Sequence, residues 1–417
     1  MATHVVIVGG GFAGITAAKH LNSPDFQVTI IDKSNHHLFQ PLLYQVATAA
    51  LSPGDIAVPI RSVFTKQKNV NVVLGRVVSI SKKDRLVQLA DGDVIPFDYL
   101  ILATGAKYNY FGNEEWKKHA PGLKSIKDAI RIRERILLSL EEADKIPDIE
   151  SRKKFLTFVV IGAGPTGVEM AGSIAEIAKR NMMRDYRNFH KNETTVHLVE
   201  AAGTVLNGYH ETLSDSALNT LTKMGVQVIL NSPVEKITEE GVQLKNHFIE
   251  TPNVIWAAGV SGTSVLDELK EEKDRSGRIK VTRDMSIKSD SKVFVLGDAA
   301  HFEGKDGKPL PGVAQPAIQQ GKFVANLIKR ELGGSPRGEF EYNDKGMMAT
   351  IGRAKAVADI NGLKLTGALA WMLWGIIHIF FLIGFRNRFR VFGEWVWHYI
   401  TFKRGVRLIT KKEDTAE

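Results

Sequence analysis

A run of apolar β-formers that breaks into glycines almost at the first residue constrains this chain more than any other feature. It reads Val5-Val6-Ile7-Val8-Gly9-Gly10-Gly11-Phe12-Ala13-Gly14. A helix-prone stretch follows from Ile15 to Leu21, and a second apolar strand, Val28 to Asp32, ends on an acid. Strand, G-x-G-x-x-G, helix, strand and acid in that order form a complete βαβ dinucleotide fingerprint. Gly9 permits the tight turn, Gly11 lets the backbone approach a pyrophosphate, and Gly14 lets the helix pack on the sheet. The helix N-terminus faces the phosphates. Asp32, eighteen residues after Gly14 and directly before Lys33, is placed to accept hydrogen bonds from ribose hydroxyls. Glycines alone would suit a turn in some unrelated α/β domain; the ordered set points to a bound dinucleotide.

The motif then recurs. Phe158-Val-Val-Ile-Gly162-Ala-Gly164-Pro-Thr-Gly167 places its first glycine 153 residues after Gly9. The helix it opens runs from Val168 to about Arg180, and the strand Val196 to Glu200 follows. Its acid arrives 33 residues after Gly167, because Asn181 to Glu193 adds a polar, basic excursion. Two dinucleotide sites in one chain imply electron transfer between two cofactors. Glu200 precedes Ala201-Ala202, with no adjacent Arg to receive a 2′-phosphate. A carboxylate on the ribose diol would repel that phosphate, so NADH is favoured over NADPH. The bland alternative is a solvated strand end.

Between and after the fingerprints lie further pieces. Phe97 to Gly105 is a buried strand ending in Ala103-Thr104-Gly105, which looks like the second motif of FAD-dependent oxidoreductases. Val70 to Leu89 alternates like an antiparallel hairpin turning at Lys82-Lys83-Asp84, and Ser125 to Ala143 reads as an amphipathic connecting helix. Val254 to Gly259 closes the inserted domain. Lys292 to Asp298 then gives strand–Gly–Asp, where Asp298 either accepts from a flavin's ribityl hydroxyls or caps the next helix. Gly312 to Gly321 opens a helix whose N-terminus can face the flavin edge.

The chain has no cysteine. Disulfide reductases carry a cysteine pair after the first acid; Pro41 and Leu42 stand in that region here and offer an inert apolar face. Thiol-dependent peroxidases and sulfide:quinone reductases are disfavoured on the same ground. At 417 residues the chain should hold two or three domains. The expected architecture is α/β: two Rossmann-like domains, for FAD (1–115 and 278–335, discontinuous) and NADH (116–277), with a C-terminal helical membrane-anchoring domain (336–417).

The tail departs from a soluble reductase. Leu365 to Phe385 is 21 residues without Asp, Glu, Lys or Arg, long enough by count to span a bilayer. Residues 386–412 then carry eight Lys/Arg (Arg386, Arg388, Arg390, Lys403, Arg404, Arg407, Lys411, Lys412) against one acid, Glu394. Trp395, Trp397 and Tyr399 interleave with them, an interfacial pattern. Interfacial attachment, a span and a buried packing helix all remain open, the first favoured. The net charge of +9 is largely this feature, so the partner it implies is an anionic lipid surface and not nucleic acid. His378 has no second ligand at helical spacing, and no metal site is expected.

On these residues the chain resembles the type II NADH:quinone oxidoreductases over its whole length. Both fingerprints, the His36-to-Thr48 run, Leu-Gly-Asp298, Ala314-Gln-Pro-Ala-Ile-Gln-Gln320 and Leu382-to-Arg388 carry the resemblance. It implies noncovalent FAD, NADH as substrate, hydride transfer to flavin N5, and reduction of a membrane quinone (menaquinone or ubiquinone) without proton pumping. It also implies a monotopic protein, often a homodimer, on the cytoplasmic face of the inner or plasma membrane. Carried over by position, Ala314, Gln315 and Gln319 line the quinone site. Glu169 approaches the isoalloxazine and influences docking or proton supply, unless it merely complements its helix dipole. A soluble ferredoxin or rubredoxin reductase, or a non-enzymatic redox sensor, is the rival reading; both leave the tail unexplained.

Overall fold

The computed structural model describes residues 2–178, 185–401 and 405–409. The end of the second fingerprint helix near Arg180, the start of the 181–193 excursion, and Phe402, Lys403, Arg404, Lys411 and Lys412 lie outside the described residues. The chain forms two compact units. One comprises Met1–Leu38, Val58–Asn109 and Val260–Asp344; the other comprises Phe39–Ala57, Tyr110–Gly259 and Lys345–Glu417.

In the first unit, strands Asp290–Val295, Tyr99–Leu102, Thr3–Val8, Phe26–Asp32 and Val70–Leu74 lie parallel in that order, with Ser286–Ile287 antiparallel at one edge. Val5, Val6, Ile7, Leu100 and Ile101 are wholly inaccessible, as expected where helices cover both faces of a parallel sheet. Val70–Leu74 pairs with Phe26–Asp32 and so leaves the expected hairpin, which instead joins Val77–Ser81 to Leu86–Leu89. Its alternation is that of an outer strand buried on one side, a pattern an antiparallel strand shares. Helix Ala314–Leu332 packs so closely on the first fingerprint helix, Phe12–His20, that a Cβ on Gly321 would lie 2.4 Å from the Ala13 carbonyl oxygen.

In the second unit, Val226–Ile229, Thr195–Val199, Thr157–Ile161 and Asn253–Trp256 form a parallel sheet. Helix Ile126–Lys145 begins at a capping box in which Ser125 and Asp128 bond reciprocally to backbone N–H groups. The C-terminal part is more than helical. Met347–Thr350, Ala356–Ile360 and Leu363–Thr366 make a three-stranded antiparallel sheet, against which the second fingerprint helix, Pro165–Glu176, lies close at Gly172.

The apolar run of the tail is divided. Leu365 and Thr366 finish a strand, the helix occupies Gly367–Phe381, and Gly384, at φ +92°, turns the chain into Phe385–Thr401. Fifteen helical residues reach about 22 Å, short of a hydrocarbon core of about 30 Å. No helix among the described residues is long and apolar enough to cross a membrane. The spanning alternative is therefore corrected: counting residues between charges joined a strand, a helix and a turn.

Candidate functional site

The first fingerprint closes on itself through backbone geometry. Gly9 sits at φ +110°, and a Cβ there would lie 2.2 Å from the Ala103 carbonyl oxygen; a Cβ on Gly14 would lie 1.9 Å from that of Gly9. A Cβ on Gly11 meets nothing within 4 Å, so this glycine faces open space. No side chain caps helix Phe12–His20, which leaves its first N–H groups for an anion. Asp32 Oδ2 accepts from Gly10 N–H (2.6 Å) and Oδ1 from Ser34 N–H (2.7 Å), so the acid ties the glycine loop to its strand while keeping lone pairs for a ribose. Lys33 beside it is exposed.

His37 is a residue the sequence reading passed over. It donates Nδ1–H to the Gly10 carbonyl (3.0 Å), and burial pushes it down to about 4, so the ring is neutral. Its Nε2, buried, has no protein partner among the described residues, an acceptor suited to a ligand hydroxyl or amide. Thr104 accepts from the Thr263 hydroxyl (2.9 Å), and Gly105, at φ +64°, faces open space. The Asp298 carboxyl lies by Gly312, where a Cβ would come within 3.4 Å, just ahead of helix Ala314–Leu332. That helix begins at Val313 without a side-chain cap, so Asp298 is not its N-cap residue. Turn, acid and uncapped helix ends fit a flavin dinucleotide.

The three amides of Ala314-to-Gln320 divide their work. Gln315, in the first helical turn, is half-buried, and its side-chain amide has no hydrogen bond among the described residues. Gln319 exchanges two bonds with the Asn343 backbone (2.9 and 3.0 Å) and so pins that loop. Gln320, which the sequence reading did not single out, is buried and accepts from Gly297 N–H (2.7 Å), holding the Gly-Asp298 turn. Helical periodicity carried the signal: Gln320 shares the buried face of Pro316, Ala317 and Val324, whereas Gln315 and Gln319 sit four apart on another.

The second fingerprint repeats the first. Gly162 has φ +98°, a Cβ on Gly167 would lie 1.7 Å from the Gly162 carbonyl oxygen, and Gly164 faces open space. Glu200 Oε2 accepts from Ala163 N–H (2.6 Å) and Oε1 from Ala202 N–H (2.8 Å), which makes it more than a solvated strand end. Gly259, at φ +69°, leaves the strand whose end, Ala257-Ala258, packs on Gly162. Pro41 and Leu42 fall in this second unit, in a short turn of helix with Leu42 buried.

Glu169 stands at the start of the second fingerprint helix, and its only hydrogen bond among the described residues is a long one from Thr350 N–H (3.5 Å). Surrounding protein pushes its carboxyl up to about 8, opposed by that N–H. The residue keeps some accessible surface, so a proton held there can be exchanged. Burial, and then the Glu169 charge, push the phenols of Tyr44 and Tyr209 upward as well.

The C-terminal helices each bury one side and expose an apolar one. Helix Gly367–Phe381 buries Ala370 and Trp374 and exposes Leu369, Met372, Ile376 and Phe380; helix Phe385–Thr401 buries Asn387 and Val391 and exposes Phe385, Phe389, Phe392, Val396 and Ile400. Phe385 is 84% exposed and Phe389 72%, values that water does not reward. Arg390 reaches buried Asp55 (3.5 Å), seating the second helix on the 39–57 segment. His378 bonds to the Trp374 carbonyl (2.7 Å) and stacks on its ring, and burial pushes it down to about 4.

A family model described as pyridine nucleotide-disulphide oxidoreductase matches residues 3–321, and one described as NDH2 C-terminal domain matches residues 345–404. The chain is 42% identical to the type II NADH:quinone oxidoreductase Ndh of Mycobacterium tuberculosis, over 98% of this chain and 90% of that protein. It is 31% identical to the type II NADH:quinone oxidoreductase of Staphylococcus aureus, over 89% of this chain and 93% of that one. Its fold matches the structure of NDH2 from Plasmodium falciparum in complex with NADH, with a TM-score of 0.89 at 20% identity, covering 99% of this chain and all of the other.

Proposed function

The chain belongs to the type II NADH:quinone oxidoreductases, and from that premise we propose that it oxidises NADH at a flavin, held noncovalently as FAD, and reduces a membrane quinone without pumping protons. The observation that carries this reading is the duplicated fingerprint, in which both acids brace their own glycine loops by the same pair of hydrogen bonds. Gly9, Gly11, Gly14, Asp32, Lys33, Thr104, Gly105 and Asp298 on and around the first fingerprint would hold the FAD. Gly162, Gly164, Gly167, Glu200 and Gly259 on the second would hold the NADH. Bound in this way, the flavin would supply the two-electron chemistry that links NADH to quinone.

The chain's own residues do the rest. Glu200 selects a ribose diol over a 2′-phosphate by charge. Gln315 offers an uncommitted amide to the quinone, with Ala314 giving close approach and Gln319 fixing the neighbouring loop. Pro41 and Leu42 provide an apolar face. NADH and quinone become NAD⁺ and quinol only with one added proton, and Glu169, protonated up to about pH 8, is suited to hold it. The exposed apolar faces of the two last helices, edged by Arg386, Arg388 and Arg390, lay the protein on an anionic bilayer at its cytoplasmic face as a homodimer. Nucleic acid is not a partner.

Anaerobic NADH oxidation by the FAD-loaded protein, with a short-chain quinone as sole acceptor and NADPH as control donor, tests this. Fast turnover with NADH and little with NADPH is expected. A flavin that NADH bleaches but quinone fails to reoxidise would overturn the quinone assignment in favour of a protein acceptor.

A further inference from the structure

A line of hydrogen bonds runs from the last helix to Glu169, entirely within the second unit. Trp395 Nε1–H donates to Gln45 Oε1 (2.8 Å), and Gln45 Nε2 donates to the Tyr44 hydroxyl (3.0 Å). Tyr44 Oη pairs with Thr350 Oγ1 (2.9 Å), and Thr350 N–H points at Glu169 Oε1 (3.5 Å). Tyr44, Gln45 and Thr350 are all buried, where apolar side chains of the same size would pack at less cost.

Chemistry fixes the direction of the first two bonds. An indole N–H only donates, so Gln45 must turn its oxygen to Trp395 and its NH₂ to Tyr44. Tyr44 and Thr350 can each give or take the proton between them, and either way their bond ties the Thr350 side chain to the line. The line thus runs from the helix to the Thr350 side chain, and the backbone N–H of that same residue meets the carboxyl. That N–H faces the one carboxyl among the described residues that its surroundings push upward.

We infer that Trp395, Gln45 and Tyr44 are positioning residues through which the seated last helix holds the Glu169 carboxyl and steadies its negative charge. The inference deepens, and rests on, the proposed role of Glu169 as a proton holder. Other titratable groups face the line. Tyr209 donates to the Met348 carbonyl (3.2 Å), and Glu176, further along the helix of Glu169, accepts from the Arg353 N–H. Glu394 and His398 border a small cavity of about 60 Å³ against Tyr44, Gln45 and Trp395. The bonds of Tyr209 and Glu176 go to Met348 and Arg353 and not to the line, and the infrared band of Glu169 reads that carboxyl itself, so its shift can be assigned to the line.

Trp395→Phe keeps an aromatic ring against Trp374 (5.2 Å between centroids) and deletes the N–H; Tyr44→Phe deletes only a hydroxyl; Gln45→Met keeps the volume. In the full-length, FAD-loaded protein on lipid vesicles, three readouts separate the cases: the pH profile of quinone turnover, NADH oxidation by ferricyanide, and the infrared carbonyl band of protonated Glu169. Removing the line leaves the carboxylate less favoured, so the alkaline limb and the infrared titration should both move up by about 0.5 unit, roughly threefold in proton affinity. Ferricyanide reduction should not change, and Glu169→Gln should lose the limb. Limb and infrared titration of Trp395→Phe and Tyr44→Phe coinciding with the parent protein would overturn the inference while sparing the role of Glu169. If Glu169→Gln keeps the limb, its role in turnover falls, and the infrared titration alone decides the line: a shift supports it and coincidence overturns it.

Discussion

The two fingerprints differ less in their glycines than in the helices those glycines open. Each has a first glycine at positive φ, a third glycine whose Cβ would strike the carbonyl of the first, and an acid that binds the N–H one residue after the first glycine. Two residues after the third glycine, however, the first helix has Thr16 and the second has Glu169. The first helix runs nine residues and is packed under Ala314–Leu332; the second runs twelve and lies on the C-terminal sheet. A common frame holds a nucleotide twice, and the surroundings of the helix give one copy a titratable group.

The sharpest way to break the comparison is to separate the two copies. Gly14→Ala and Gly167→Ala each force a methyl to 1.9 or 1.7 Å from a carbonyl oxygen, an overlap that only backbone movement relieves, at about 1–3 kcal/mol or more. Gly14→Ala should purify with little flavin, seen as loss of visible absorbance. Gly167→Ala should keep its flavin and lose reduction by NADH. Loss of flavin from Gly167→Ala would show that the assignment of the sites is reversed or shared.

Exchanging the acids comes next. Asp32→Asn and Glu200→Gln each weaken two charge-assisted hydrogen bonds, about 1.5–3 kcal/mol in the loop they brace. Glu200→Gln also removes the repulsion of a 2′-phosphate. The ratio of kcat/KM for NADH over NADPH should therefore fall about tenfold while flavin affinity holds. Asp32→Asn should weaken flavin binding and leave the ratio alone. A Glu200→Gln protein still as selective as its parent would place nucleotide discrimination elsewhere.

Legibility divides along the same line. Glycine spacing is local, so both turns and both acids could be read from consecutive residues. That Asp32 and Glu200 also brace their loops required only that strand and loop be adjacent. Glu169 was reachable by motif position, but its raised proton affinity comes from burial, and the N–H that opposes it belongs to Thr350, 181 positions later, which no window spans. Gln320 and His37 were missed because their partners are backbone atoms of glycine loops. In the tail, count alone left a span open beside the favoured interfacial reading, because Gly367 and Gly384 at positive φ cut one apolar run into elements that no count shows.

The pH dependence of stability sharpens the contrast between Thr16 and Glu169. The folded chain keeps the Glu169 proton between the ordinary 4.5 and about 8, where the unfolded chain has released it. Over that window the native state binds more protons, so stability falls as pH rises and the cost is complete above about 8. Because the residue keeps some accessible surface, the cost is on the order of 1–2 kcal/mol. Glu169→Gln should flatten the slope, matching the parent below pH 4.5 and melting higher than it above about pH 8. Parallel melting curves at all pH values would mean that the carboxyl titrates normally.

The smallest effect on the fold is the most telling about ligands. A Cβ on Gly11 or Gly164 meets no protein atom within 4 Å, and neither residue has the positive φ that penalises a side chain. Gly11→Ala and Gly164→Ala should therefore change stability by less than about 0.5 kcal/mol, with an unchanged melting temperature for protein stripped of nucleotide. What the methyl enters is the space before each helix N-terminus, where a pyrophosphate must come close to the backbone. Each variant should then lose affinity for one nucleotide only, flavin for Gly11→Ala and NADH for Gly164→Ala, as titration calorimetry reads directly. If either binds both nucleotides as its parent does, phosphate binding does not require a glycine there, and the likeness of the two loops reflects chain geometry alone.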